Sequence, residues 1–145
     1  MDDLQRLLIE RACGRLVTQY CHLIDHGEAA RIAELFSEDG VWASPENTMD
    51  GREAIARGFT HRQNNKGRMS RHVCNNLLLD VIDENTASGV VYLTLYRHDG
   101  EEGRRTSPVG LPAIVGEYRD RFRKTADGWR FERRDIVTSF APSQA

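Results

Sequence analysis

Leu4, Leu8, Ala12, Leu16, Tyr20 and Leu23 recur at steps of three and four residues, the period of one helical face. They predict a helix over residues 2–26. Asp2 or Asp3 stands at its N-cap, and Gly27 stands where a helix stop favours glycine. A second helix is predicted over 28–37, with Ile32, Leu35 and Phe36 on its apolar face and Asp39-Gly40 ending it. Val41-Trp42-Ala43 reads as a short strand. Residues 52–64 read as a third helix, with Ile55 and Phe59 inward, and Gly67 breaks it.

From residue 69 the pattern changes to strands. The predicted strands are 69–82, 87–97, 113–124 and 129–140, with turns at Asp83-Glu84-Asn85 and Ala126-Asp127-Gly128, a polar loop over 99–108 and a frayed tail from Ala141. Early helices followed by hairpin-linked strands predict an α+β fold with an antiparallel meander. Such a sheet must bend around the helices, and the space left between them is an apolar pocket for a small hydrophobic molecule. Residues 1–140 are expected to form one domain, with 141–145 as a flexible tail. Val91, Leu93 and Leu95 are assigned to the outer face of the sheet. A bare apolar face of that kind predicts a homo-oligomer, dimer or trimer.

The 145 residues, 39% hydrophobic and 29% charged, suffice for a folded core without cross-links. A net charge of −2 argues against nucleic acid as a partner. Arg119, Arg121 and Arg123 alternate, so they share one solvated strand face. No apolar run is long enough for a membrane span, and Met1-Asp2-Asp3 lacks the basic start of a secretory signal. Cys13, Cys21 and Cys74 are odd in number and scattered, which fits reduced thiols in a cytoplasm.

Asp25 falls in the last turn of the first helix, where the macrodipole disfavours a carboxylate. It therefore calls for a donor. His72 sits in an otherwise apolar strand, either bonded to backbone in the core or paired with a carboxylate as a base. Tyr20 lies on the apolar stripe, and its hydroxyl needs a partner if buried. Tyr20 and Asp25 are about 140° apart on an ideal helix, so one pocket reaches both only by wrapping the helix end. Trp42, Phe59, Tyr92, Tyr96 and Tyr118 read as core or pocket wall, and Asn75 or Asn76 as a polar pocket contact or a bulge. Of the adjacent Arg133 and Arg134, one points inward. His22 and His26, four apart on the helix, could share a metal, but no third ligand accompanies them and no metal or cofactor is expected.

The order Tyr20-x₄-Asp25, Leu35-Phe36-Ser37-Glu38-Asp39-Gly40-Val41-Trp42, Gly51-Arg52-Glu53-Ala54-Ile55, Arg71-His72-Val73-Cys74-Asn75, Gly116-Glu117-Tyr118 and Asp127-Gly128-Trp129-Arg130-Phe131 spans nearly the whole chain. It resembles the SnoaL-like and scytalone dehydratase-like members of the nuclear transport factor 2-like superfamily. The site pattern is similar to that of the bile acid 7α-dehydratases, whose Tyr, Asp, His and Arg match Tyr20, Asp25, His72 and Arg134 in order. The resemblance implies a cone-shaped sheet around N-terminal helices, with Arg134 as the inward arginine. It implies a cofactor-independent, dehydratase-like lyase acting on a hydrophobic cyclic or polycyclic alcohol, with Asp25 and His72 as an acid–base pair, Tyr20 donating to the departing oxygen and Arg134 anchoring a polar group of the substrate. It equally admits a non-catalytic binder or oxygenase accessory subunit, and an isomerase or hydrolase of polyketide or steroid type.

Overall fold

A computed structural model describes residues 1–143; of the expected tail, residues 144 and 145 lie outside the described residues. Helix α1 runs Asp3–Asp25. A capping box starts it: Asp2 Oδ1 accepts from the Gln5 N–H at 2.8 Å, and Gln5 Oε1 accepts from the Asp2 N–H at 2.9 Å. Gly27, at φ 80°, ends it in the left-handed region, and the Glu28 N–H turns back to the Leu23 carbonyl at 2.9 Å.

The helix expected over 28–37 is instead a 3₁₀ segment, Ala29–Leu35. Of its buried residues, Ala29, Ile32 and Leu35 are three apart, which matches the three-residue 3₁₀ turn, and Ala33 is buried beside them. Phe36 is not helical but opens strand β1, Phe36–Ala43. Asp39-Gly40 ends no helix; it lies inside β1, where the pairing register shifts between Phe36 and Val41. A short strand β2, Thr48–Asp50, follows. Helix α2, Arg52–Asn64, matches its predicted span. Strands β3 (Arg68–Val81), β4 (Thr86–Asp99), β5 (Ile114–Thr125) and β6 (Gly128–Phe140) complete the chain.

The six strands form one sheet in the order β2-β1-β6-β5-β4-β3. Strands β3 to β6 are the expected antiparallel meander, but β1 joins β6 in parallel. Irregularities bend the sheet where register shifts between Asn75 and Leu78, Val115 and Gly116, and Arg121 and Phe122. Asn76, at φ 59°, sits in the first of them. The concave face packs on α1, and its core includes Tyr118, Phe122 and Phe131. The sheet stays open, giving an α+β cone. None of the described helices is long and apolar enough to cross a membrane.

One expectation about the sheet is reversed. Val91, Leu93 and Leu95 are buried on the concave face, and Tyr92, 54% exposed, points outward with Tyr96 and Val73. Residues 90–96 are apolar at nearly every position, so alternation alone could not say which set faced the helices. Exposed apolar residues of β3 and β4 therefore include Val73, Tyr92 and Tyr96, with Leu77 and Leu78 farther along β3.

At Gly116 a Cβ would overlap the Val137 carbonyl oxygen of the neighbouring strand. The strands approach this closely only because the side chain is missing. Gly116→Ala should destabilise the fold by about 1–3 kcal/mol, as overpacking does. Urea unfolding measures it, and an unchanged midpoint would show that the bend tolerates a methyl group.

Candidate active site

Asp25 is the last residue of α1, and its carboxylate turns onto β3. Three donors meet it there: the His72 backbone N–H at 2.8 Å, the His72 ring Nδ1 at 2.7 Å and the Ser70 hydroxyl at 2.8 Å. The side chains of His72 and Asp25 are 8% and 5% exposed, so water does little for either charge. Burial pushes the carboxyl up. The bonds from the His72 ring and backbone, the His72 charge and Ser70 outweigh that, and the carboxyl is held below its ordinary value of 3.8. An ionised carboxylate only accepts, so Nδ1 bears a proton; in the neutral imidazole the lone pair is then on Nε2. The Ser70 hydroxyl in turn accepts from Arg62 Nη2 at 3.1 Å. Arg62, Ser70, Asp25 and His72 thus form one hydrogen-bonded chain.

His72 lines a cavity of about 640 Å³ together with Tyr20, Trp42, Phe59 and Tyr118. This volume suits a small organic ligand. Asp25 does not line it but lies behind His72. The angular gap between Tyr20 and Asp25 is bridged by His72, which bonds Asp25 while its ring stands edge-on to Tyr20 at 6.4 Å between centroids. The Tyr20 hydroxyl accepts from Trp42 Nε1 at 3.0 Å. Burial pushes this phenol up to about 12, against the pull of Arg134, so it stays protonated at neutral pH.

Arg134 points inward, as expected, but it does not reach the cavity wall. It is fully buried and opposes Asp120 across β5 and β6, donating to it from Nε at 2.8 Å and Nη2 at 3.1 Å. Its guanidinium carbon lies 3.6 Å from the Tyr118 ring centroid, 4.4 Å from Tyr20 and 4.6 Å from Phe131. Burial opposes the guanidinium charge, but Asp120 outweighs it and holds the arginine firmly charged. Arg134 therefore lies behind the aromatic wall and is not among the cavity's lining residues, and its Nη1 has no hydrogen-bond partner among the described residues. Asn75, Asn76 and Tyr92 also lie outside the cavity: all three are exposed on the convex side, because the side chains of β3 and β4 that enter the cavity are Ser70, His72, Leu93 and Leu95.

Ser70, Arg62 and Asp120 were missed in the sequence. Ser70 is two residues before His72, hence on the same strand face, and that spacing was the available signal. Asp120 alternates with Tyr118 and Phe122, which marked it as inward and in need of a cation. The thiols of Cys21 and Cys74, scattered in sequence, meet at 3.5 Å. Among the other histidines, His22 and His26 stack at 5.7 Å.

Comparison with known proteins follows the same lines. A family model for a SnoaL-like domain matches residues 5–135. No curated protein matches the chain. Among solved structures, an NTF2-like protein with a cystatin-like fold from Novosphingobium aromaticivorans is 30% identical, with a TM-score of 0.73 over 95% of this chain and 91% of that one. A candidate scytalone dehydratase from the same species is 24% identical, with a TM-score of 0.79 over 94% and 87%. The hexachlorocyclohexane dehydrochlorinase LinA-type3 of Novosphingobium barchaimii is 16% identical, with a TM-score of 0.75 over 96% and 92%. The last two likenesses are likenesses of fold.

Two measurements test these charges. Arg134→Met strands the buried Asp120 and should destabilise the protein by about 3–5 kcal/mol, whereas Arg134→Met with Asp120→Leu should recover much of the loss. Chemical unfolding that finds the double variant no better than the single one would contradict the pairing. For Asp25, the folded value lies below the unfolded one, so its contribution is complete above the ordinary 3.8 and is lost as pH falls through the folded value. The gap in unfolding free energy between the protein and Asp25→Asn should be flat near neutrality and shrink below about pH 4. A gap that stays constant into acid would show that the carboxylate gains nothing from its donors.

Proposed function

The chain belongs to the SnoaL-like domain family, and from that premise we propose that it is a cofactor-independent, dehydratase-like lyase acting on a small hydrophobic cyclic alcohol. The observation that carries this reading is the 2.7 Å contact between Asp25 and the ring of His72, with the histidine on the cavity surface and the carboxylate behind it. The Asp25–Nδ1 bond leaves Nε2 free to take a proton from a carbon next to an activating group. Asp25 then balances the charge that develops on the ring. Tyr20, whose oxygen already accepts from Trp42, has its own proton to give to the departing oxygen. Arg134 takes no part in the chemistry; it holds Tyr20 and Tyr118 in place by charge and contact.

General acid–base steps supply about 10²–10⁴-fold each. That suits elimination from an activated substrate, such as a β-hydroxyketone, in which the carbonyl acidifies the adjacent C–H. The dehydratase and dehydrochlorinase among the similar structures are named for eliminations, which agrees with this class. The same base beside a carbonyl also serves isomerisation, and product analysis separates the two.

A panel of cyclic β-hydroxyketones, assayed with a chelator present, should reveal turnover. His72→Ala and Asp25→Asn should each lower it by about 10²-fold or more while ligand binding persists. Undiminished activity in both variants, or loss of activity with chelator alone, would overturn the mechanism.

A further inference from the structure

The cavity is apolar over most of its surface but cationic at one end. Arg62, Arg68 and Arg97 line it there, and Glu46, on the turn after β1, is the one carboxylate among its described lining residues. The three arginines are not equivalent. Arg68 donates to both oxygens of Asp99, at 2.8 and 2.9 Å, so its charge is answered locally. Arg62 donates to the neutral hydroxyl of Ser70. Arg97 has no ion pair or side-chain hydrogen bond among the described residues.

Register brings together the two guanidiniums that have no ion pair among the described residues. Arg97 on β4 stands directly opposite Ser70 on β3, and Ser70 is the residue that Arg62 grips from α2. Directly opposed residues share one face of a sheet, so both guanidiniums converge on the Ser70 level of the concave wall. Both are less basic than a free arginine, through burial first and then the nearby charge of Arg68. Asp99 acts on both in the opposite sense, and Asp25 on Arg62, but no carboxylate is paired with either guanidinium among the described residues. Two neighbouring cations of this kind, Arg62 half-buried and Arg97 exposed, favour an anion between them.

We propose that the cavity takes an amphiphile with an apolar ring body and an anionic head, and that Arg62 and Arg97 hold the head. This assigns the substrate class of the site and rests on the reading of the cavity as the ligand site. His72 is two residues beyond Ser70 along β3, about 7 Å. The head and the reacting carbon are therefore within reach of one small molecule. Arginine matches the planar, two-oxygen geometry of a carboxylate through paired N–H donors, and it matches phosphate equally.

The test compares 1-naphthylacetate, 1-naphthylacetamide and 1-naphthyl phosphate by calorimetry. They share an aromatic body and differ in the head. The acetate should bind at least about 10-fold more tightly than the neutral amide, as charge-assisted bonds require. Arg97→Gln, which leaves the Arg62–Ser70–Asp25–His72 chain intact, should remove most of that preference, and Arg62→Gln with Arg97→Gln should abolish it. A tighter phosphate would support the anionic head and identify it as a phosphate. The His72→Ala variant should keep the preference, which separates this proposal from the elimination mechanism. Equal affinity for acetate and amide, no saturable binding of any probe, or a preference that survives the double arginine substitution would overturn it.

Discussion

The carboxylate of Asp25 joins the end of α1 to strand β3, and the arrangement of the cavity follows from that junction. Its position is electrostatically adverse, since it combines burial with the negative end of a helix dipole. Three donors on one short stretch of β3 offset both penalties. Two of them come from His72, so the interaction that stabilises the helix end also selects the tautomer of the imidazole. The fold and the candidate chemistry share these bonds, and a change to one is felt by the other.

A second buried charge supports the opposite wall. Arg134 and Asp120 are fully enclosed, and their two bonds lie beneath the rings of Tyr20, Tyr118 and Phe131. Replacing such a pair by apolar side chains often leaves stability unchanged or improves it. What the pair gives here is orientation. The guanidinium plane fixes the aromatic rings that face the cavity, and its charge tempers the rise in the Tyr20 phenol caused by burial. Arg134 touches Tyr20 but is not among the residues that line the cavity.

Between these two charges, sheet curvature sets the size and polarity of the cavity. The irregularities in β3, β5 and β6 bend the sheet, and α1, α2 and the 3₁₀ segment pack into the hollow. Alternation along β3 then delivers Arg68, Ser70 and His72 to the same wall, while β4 brings Arg97 beside Leu95. The result is a graded surface, cationic at one end, with His72 and its partner Asp25 in the middle and aromatic residues beyond.

Local pattern was enough for much of this. The three- and four-residue steps of α1, its Asp2 cap and Gly27 stop, and the span of α2 depend on neighbours along the chain, so they were legible. The same holds for the hairpins around Asp83 to Asn85 and Ala126 to Gly128, and hence for the α+β order. The order of Tyr20, Asp25 and His72, through its likeness to the family, marked them as candidates. What failed needed information from across the fold. The apolar run 90–96 carries no alternation, so only the packing of helices decided that Leu93 faces in and Tyr92 faces out. The parallel seat of β1 beside β6 joins residues about 90 apart in sequence, far beyond any turn signal. The family pattern marks Arg134 as inward, but its partner Asp120 lies on another strand, and that pairing draws it behind the wall instead of into the cavity. Ser70, Arg62 and Arg97 looked like ordinary polar residues, because a side chain's role at a site depends on which residues stand opposite it, and strand register decides that.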